Sequence, residues 1–263
     1  MSLLPALLVL TSLCTQPTYS FAVLGDTQSN QRIFKRAVKD IKKRKLNFAV
    51  HVGDLYWRSS TRWWKWYKKK LNYTKIPWHM VMGNHEILLC AYGCSRKWKN
   101  FWRKKKYRRS TLKIFDKYGD RFILMDSADH STPMSHINRI RKALRSAKNK
   151  SVFLFTHKPL PYNGGFKVRY GPNKRSWHWY WVMSGTGWYG NNKILWRLLD
   201  KYNHKIKSLF HGHYHAFRRY KIGKIQAYCT GGGGGKLETR HDYYHYLIVT
   251  INKHGYSIKV VRL

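Results

Sequence analysis

At 263 residues and 43% hydrophobic composition, the chain is long enough to bury one sizeable core, and none of its apolar runs approaches the roughly 20 residues of a bilayer crossing, so no transmembrane span is predicted. Its 52 lysines and arginines against 11 acids give a formal charge of +41, which draws it to polyanions such as nucleic acid, anionic lipid or a phosphorylated polymer. Basic residues cover almost every predicted helix, which reads as a generally basic surface rather than one dedicated groove.

The N-terminus carries a short apolar run, Leu3 to Leu13, followed by Cys-Thr-Gln-Pro-Thr-Tyr-Ser. Residues 1–20 are therefore expected to be a signal peptide, with Thr18 and Ser20 as the small residues before a cut, and the mature protein to be exported, periplasmic or secreted. The usual Lys or Arg near Met1 is missing, so a first core strand or an uncleaved anchor stays open. Export bears on the cysteines: Cys14 would leave with the signal, Cys90 and Cys94 either close a small disulfide loop or stay as thiols, and Cys229 is left over.

From residue 21 the pattern alternates. Phe21 to Leu24 is an apolar run entering Gly-Asp, and a helix follows with Phe34, Ala37, Val38 and Ile41 on one face. Phe48 to Val52 enters a second Gly-Asp, and Trp78 to Met82 enters Gly83-Asn84-His85-Glu86. Phe122 to Met125 is a further strand. A helix starts at Thr132-Pro133 with Ile137, Ile140 and Leu144 spaced inward. Val152 to Phe155 enters Thr156-His157, a helix carries Leu195, Leu198, Leu199 and Tyr202, and Ser208 to Phe210 leads into His211-Gly212-His213-Tyr214-His215. From Tyr220 onward short strands and turns take over, at Ile225–Cys229, Tyr246–Ile251 and Tyr256–Val261.

Alternating strands and helices argue for an α/β sheet, and the late hairpins for a second sheet packed in the same domain, residues 21–263. Three segments look inserted: 57–75, 88–109 and 162–191. The second holds nine Lys or Arg between Ser95 and Arg109, and the third nine aromatics between Tyr162 and Tyr189. Long loops of this kind are functional or disordered, and an aromatic, basic surface can stack bases and hold phosphates. In the first, Trp63, Tyr67 and Leu71 have helical spacing, which favours core packing.

The strand exits carry the chemistry. They deliver Asp26 and Gln28, then Asp54, then Asn84 and His85, then His157, then His213 and His215. In an open α/β sheet ligands collect beyond the carboxyl ends of the strands. Any one of these residues has an ordinary explanation, a turn, a helix cap or a buried histidine. Together they are carboxylate, amide oxygen and imidazole without thiolate, the donors that hard or borderline divalent metals prefer.

Order and spacing resemble the calcineurin-like metallophosphoesterase family, which includes the purple acid phosphatases. The resemblance runs from about Phe21 to the C-terminus: an Asp-x-His-type first motif, Gly-Asp, Gly-Asn-His-Glu, a lone His and Gly-His-x-His. It implies the calcineurin-like phosphoesterase fold, an α/β architecture of two mixed β-sheets packed as a sandwich flanked by helices, and two divalent metal ions, Mn, Fe or Zn, at the strand ends. Position by position it implies one metal held by Asp26, Gln28, Asp54 and His215 and the other by Asp54, Asn84, His157 and His213, with Asp54 bridging ions about 3.5 to 4 Å apart. His213 and His215, at i and i+2, can point the same way from an extended segment.

The expected activity is hydrolysis of a phosphorylated, anionic substrate. Two cations lower the pKa of a shared water from about 15.7 toward 7, so that hydroxide attacks phosphorus in line with the leaving oxygen. His85 is the expected proton donor to that oxygen, or else a hydrogen-bond partner that holds a ligand. The simplest form is a phosphomonoesterase. The alternatives are a phosphodiesterase or nuclease, and a non-catalytic cationic protein that binds nucleic acid or cell envelope.

The sequence departs from the family pattern in places. Gln28 stands where the family usually has histidine, and its neutral amide oxygen is a weaker ligand. Tyr56 lies two residues after Asp54, not three as in the purple phosphatases, so no purple ferric site is expected. Arg218 replaces the Glu of the tail motif. Gly231 to Gly235 reads either as a flexible linker or as a loop beside the site.

Overall fold

The computed structural model describes residues 18–57, 61–86, 112–125, 127, 132–160 and 191–263. The period of two along each strand decides the layers. In β1 (Tyr19–Leu24), Tyr19, Phe21 and Val23 turn to one face and Ala22 and Leu24 to the other. The same split recurs in β2 (Phe48–His51), with Phe48 and Val50 opposite Ala49.

β1 and β2 run parallel to each other and to β3 (Trp78–Met80). A second set begins with the hairpin of β4 (Leu112–Lys117) and β5 (Asp120–Met125) and continues in parallel through β6 (Val152–Phe155) and β7 (Ile206–His211). Helices cover the outer faces: α1 (Gln31–Lys43) and α2 (Thr61–Tyr73) on the first sheet, α3 (Met134–Ser146) and α4 (Asn192–Lys201) on the second. Between the sheets lies an aromatic layer, in which Phe21 stacks on Phe48 at 4.8 Å between centroids and Phe155 on Phe210 at 5.2 Å. The result is the expected pair of mixed sheets flanked by helices.

The late strands do not make a sheet of their own. β8 (Phe217–Ile222) and β9 (Ile225–Thr230) extend the second sheet, whose order is β4-β5-β6-β7-β9-β8. β10 (His245–Asn252) and β11 (Gly255–Arg262) extend the first, in the order β11-β10-β1-β2-β3. The reason is that β10 is apolar on both faces, with Leu247, Val249 and Ile251 toward the aromatic layer and Tyr246 and Ile248 toward α1 and α2, so it fits only as an inner strand.

Most of the segment 57–75 is helix α2, and its buried stripe is Trp64, Tyr67 and Leu71, while Trp63 is 36% exposed. Steps of three and four residues keep a helical stripe narrow, whereas Trp63, Tyr67 and Leu71, each four apart, drift around the helix. β1 begins at Tyr19, two residues inside the expected signal, and the Tyr19 hydroxyl donates to Asp120 at 2.6 Å. The rest of that signal through residue 17, Cys14, Cys90 and Cys94, the insertion 88–109 and all of 162–191 except Asn191 lie outside the described residues. Cys229 is a buried free thiol. Among the described residues no helix is long and apolar enough to cross a membrane.

Candidate metal centre

Five parallel strands, β1, β2 and β3 of one sheet and β6 and β7 of the other, end at one edge of the sandwich. Backbone hydrogen bonds stitch their exits together: Asp26 N–H donates to the Gly53 carbonyl at 3.0 Å, Thr27 N–H to Asp54 at 2.9 Å and Gly212 N–H to His157 at 3.0 Å. Asp26, Asp54 and His213 have φ of 57°, 55° and 71°, left-handed conformations that cost a side-chain-bearing residue on the order of 1 kcal/mol each. Three such residues at one edge are what a site held against local preference looks like. Packing there is also too tight for side chains: a Cβ on Gly83 would sit 2.1 Å from Asp54 Oδ1.

The side chains form two groups. In the first, His157 Nε2 lies 2.8 Å from Asn84 Oδ1, 3.4 Å from Asp54 Oδ2 and 3.3 Å from His213 Nδ1. Asn84 Oδ1 is also 2.9 Å from His213 Nδ1. Asp54, His157 and His213 each offer a ligand atom within 4.8 Å of one another. In the second, His215 Nε2 is 3.5 Å from Asp26 Oδ1 and 3.1 Å from Gln28 Nε2. Both Asp26 oxygens accept the backbone N–H of His213 at 3.0 Å, so the groups share a wall. All seven residues that the sequence marks as metal ligands therefore meet here.

The tautomers are fixed from outside. His157 Nδ1 donates to the Val52 carbonyl at 2.9 Å and His215 Nδ1 to the Lys236 carbonyl at 2.7 Å, leaving Nε2 of each ring to face the group. His85 Nδ1 donates to the Trp57 carbonyl at 3.1 Å, and its Nε2 is 3.8 Å from Asp54 Oδ2.

Electrostatics marks both groups as cation seeking. Burial alone would push His157 down, but the Asp54 carboxylate beside it lifts it to about 9. His215 is likewise pressed down by burial and lifted to about 9 by Asp26. Burial would raise the Asp54 carboxyl, yet His157 and His85 hold it below the ordinary carboxylate range. Burial keeps Asp26 raised despite His215, and burial together with His157 holds His213 well down. Asn84 Oδ1, Asp54 Oδ2, His157 Nε2 and His213 Nδ1 converge on one small volume, and the buried Gln28 Oε1 has no hydrogen-bond partner among the described residues. A divalent cation in each group satisfies these atoms with oxygen and nitrogen donors, so the residues fit the metals that the sequence implies.

Sequence reasoning missed the groups that hold the ligands. The Glu86 carboxylate, 2% exposed, accepts N–H bonds from Asp54 at 3.0 Å, Leu55 at 2.9 Å and Gly83 at 2.6 Å, and burial and the Asp54 charge raise it to about 7. Ser127 Oγ accepts from the backbone N–H of His157 at 2.9 Å and of Lys158 at 2.8 Å. Glu86 closes the Gly83-Asn84-His85-Glu86 motif, and Ser127 follows the exit of β5, a strand parallel to β6. The glycine run is the loop beside the site rather than a linker: Gly235 N–H donates to the Asp26 carbonyl at 2.7 Å, and a Cβ there would meet the His215 ring at 2.5 Å.

Comparison with known proteins agrees with this fold. The chain superposes on the purple acid phosphatase PPD1 from yellow lupin (Lupinus luteus) seeds with a TM-score of 0.69 at 16% identity, covering 94% of this chain and 52% of that one. A dimetal phosphatase from Danio rerio gives 0.64 at 13% identity, covering 92% and 98%. GAP50, the anchor in the inner membrane complex of Plasmodium, gives 0.62 at 14% identity, covering 93% and 84%. At these identities the likeness shows the fold alone, and the chain spans about half the length of the lupin protein. No curated protein sequence matches it. The sequence profile of the calcineurin-like phosphoesterases, however, matches residues 19–217, from the first residue of β1 past all five strand exits, and on that match the chain belongs to the calcineurin-like phosphoesterase family.

Proposed function

We propose that the chain is a metal-dependent hydrolase of phosphate esters, in its simplest form a phosphomonoesterase. The observation that carries this reading is the meeting of two donor groups at one sheet edge, Asp54 with His157, His213 and Asn84 in the first and Asp26, Gln28 and His215 in the second, joined where Asp26 accepts the His213 N–H. In this reading Asp54, Asn84, His157 and His213 hold one cation, and Asp26, Gln28, His215 and Asp54 the second. Bound there, two divalent ions, Mn, Fe or Zn, supply Lewis acidity toward the phosphoryl oxygens and lower the pKa of a water toward neutrality.

The protein's own groups do the rest. Glu86 fixes the loops that carry Asp54 and Asn84. His85 has its Nδ1 engaged by the Trp57 carbonyl, so Nε2 is the nitrogen that can pass a proton to the leaving oxygen. Gln28, the weakest donor of the set, makes its group the second to fill.

The test is a metal-reconstituted assay with a phosphate monoester, a diester and single-stranded DNA, run on the wild type, Asp54→Asn and His85→Ala. The reading requires turnover that chelator abolishes and that Asp54→Asn loses. A monoester preference supports the phosphomonoesterase, and a diester or DNA preference the phosphodiesterase or nuclease. Hydrolysis unaffected by chelator and by Asp54→Asn removes the proposal. A second reading, a cationic binding protein without turnover, draws on the basic outer faces of α1 and α2 and on the likeness to a membrane-complex anchor. It requires salt-sensitive polyanion binding that Asp54→Asn leaves unchanged.

A further inference from the structure

Trp57 lies outside any helix or strand and is 53% exposed, more than any other large hydrophobic side chain among the described residues. Exposure of one indole by itself carries nothing. What singles it out is its neighbour: the Trp57 ring packs over the His85 imidazole with centroids 4.6 Å apart and planes 34° apart, while its own carbonyl accepts from His85 Nδ1. The other exposed tryptophan among the described residues, Trp63, packs its ring on Trp66 and Tyr67 within α2. His85 is thus flanked by Asp54 at Nε2 and by Trp57 at Nδ1 and across the ring. A leaving oxygen that takes its proton from Nε2 carries the rest of the leaving group past the imidazole, within reach of the indole.

We propose that Trp57 is the platform for the leaving group, and that the site prefers phosphoesters whose leaving group bears an aromatic ring over alkyl phosphates. The proposal rests on the phosphoester reading above. An indole offers a broad, rigid face on which a planar ring stacks and a short alkyl chain gains little. Its backbone carbonyl orients His85 whatever the side chain, so substitution of the ring separates platform from positioning.

The experiment uses the full chain loaded with Mn²⁺ and two phosphonates that are not hydrolysed, phenylphosphonate and ethylphosphonate, titrated calorimetrically. The wild type should bind the phenyl compound on the order of tenfold more tightly, Trp57→Leu should shrink the gap to about twofold, and Trp57→Phe should keep most of it. Melting curves matching the wild type establish that the variants fold. In turnover, Trp57→Leu should raise KM for phenyl phosphate by more than it raises KM for glycerol phosphate. A wild-type gap retained in Trp57→Leu overturns the platform and leaves hydrolysis standing. Equal losses on both substrates make Trp57 a residue that acts only through His85, and also overturn it. Failure of both phosphonates to bind the metal-loaded wild type overturns the platform together with the phosphoester reading.

Discussion

Three backbone N–H groups from two loops end on one buried carboxylate, that of Glu86. Charge-assisted bonds of this kind stabilise more than neutral ones, and a donor left facing a donor loses its hydration for nothing. Glu86→Gln keeps the volume but turns an amide N–H toward one of the three, so it should cost about 1 to 3 kcal/mol, seen as a lowered denaturant midpoint. Because two of the donors are Asp54 and Gly83, metal-dependent kcat/KM should fall on the order of tenfold or more in the same variant. Gly83→Ala forces a methyl onto Asp54 Oδ1 and its backbone nitrogen, 2.1 and 2.2 Å away, and should release bound metal, measured by elemental analysis after gel filtration. At this scale the sequence displayed the ligands because each is polar and follows an apolar run. It hid Glu86 and Ser127, since the spacing of Gly-Asn-His-Glu does not reveal that the glutamate turns back onto main-chain N–H groups. Nor does the run through Met125 reveal that β5 exits on the same edge.

Strands were the most legible elements, because residues such as Phe21 and Val23 against Ala22 and Leu24 write the period of two directly, and Val152–Phe155 has the expected bounds. What could not be read was pairing: nothing local in β8 to β11 says which sheet each hairpin joins, a choice made by two-sided burial of β10. Helix α1 shows how an element is tied to the site. Asn30 caps it, its Oδ1 accepting from Arg32 N–H at 3.1 Å and Ile33 N–H at 3.2 Å, while the Asn30 N–H donates to the Gly234 carbonyl at 2.9 Å. The cap is a side-chain interaction and the tie to the glycine loop is main chain, so the two separate in Asn30→Ala. That variant should lose about 1 kcal/mol of stability by denaturant melting, with hydrolysis unchanged. A tenfold loss of turnover would instead mean that the glycine loop depends on the cap.

Acid and salt act on the whole molecule. His245 is fully buried, and burial holds it down at about 4 despite the Tyr243 carbonyl that accepts from its Nδ1. Its folded value lies below the unfolded 6.5, so the unfolded chain takes up the proton first, and stability is complete above pH 6.5 and falls as pH drops toward 4. The loss should approach about 3 kcal/mol and lower the melting temperature on the order of 5 to 10 °C. His245→Phe should flatten the melting profile between pH 6.5 and 4, and an unchanged slope would place the acid sensitivity elsewhere. Salt should act in two opposite senses. A charge of +41 repels itself, so added salt should raise the melting temperature. The same salt should weaken the polyanion binding proposed above, for which the outer faces of α1 and α2 offer a basic surface among the described residues. They carry eleven Lys and Arg against one acid, Asp40, which pairs with Arg44, and Lys42 lies 3.7 Å above the half-exposed Tyr73 ring. If about five phosphates are neutralised, affinity for single-stranded DNA should fall about a hundredfold between 50 and 200 mM salt. Exchanging Lys65 and Lys69 together for Glu should flatten that dependence, read as the slope of log affinity against log salt. Both side chains are solvent-exposed, so melting at fixed salt should barely move, and an unaltered slope would assign the contact to another basic face.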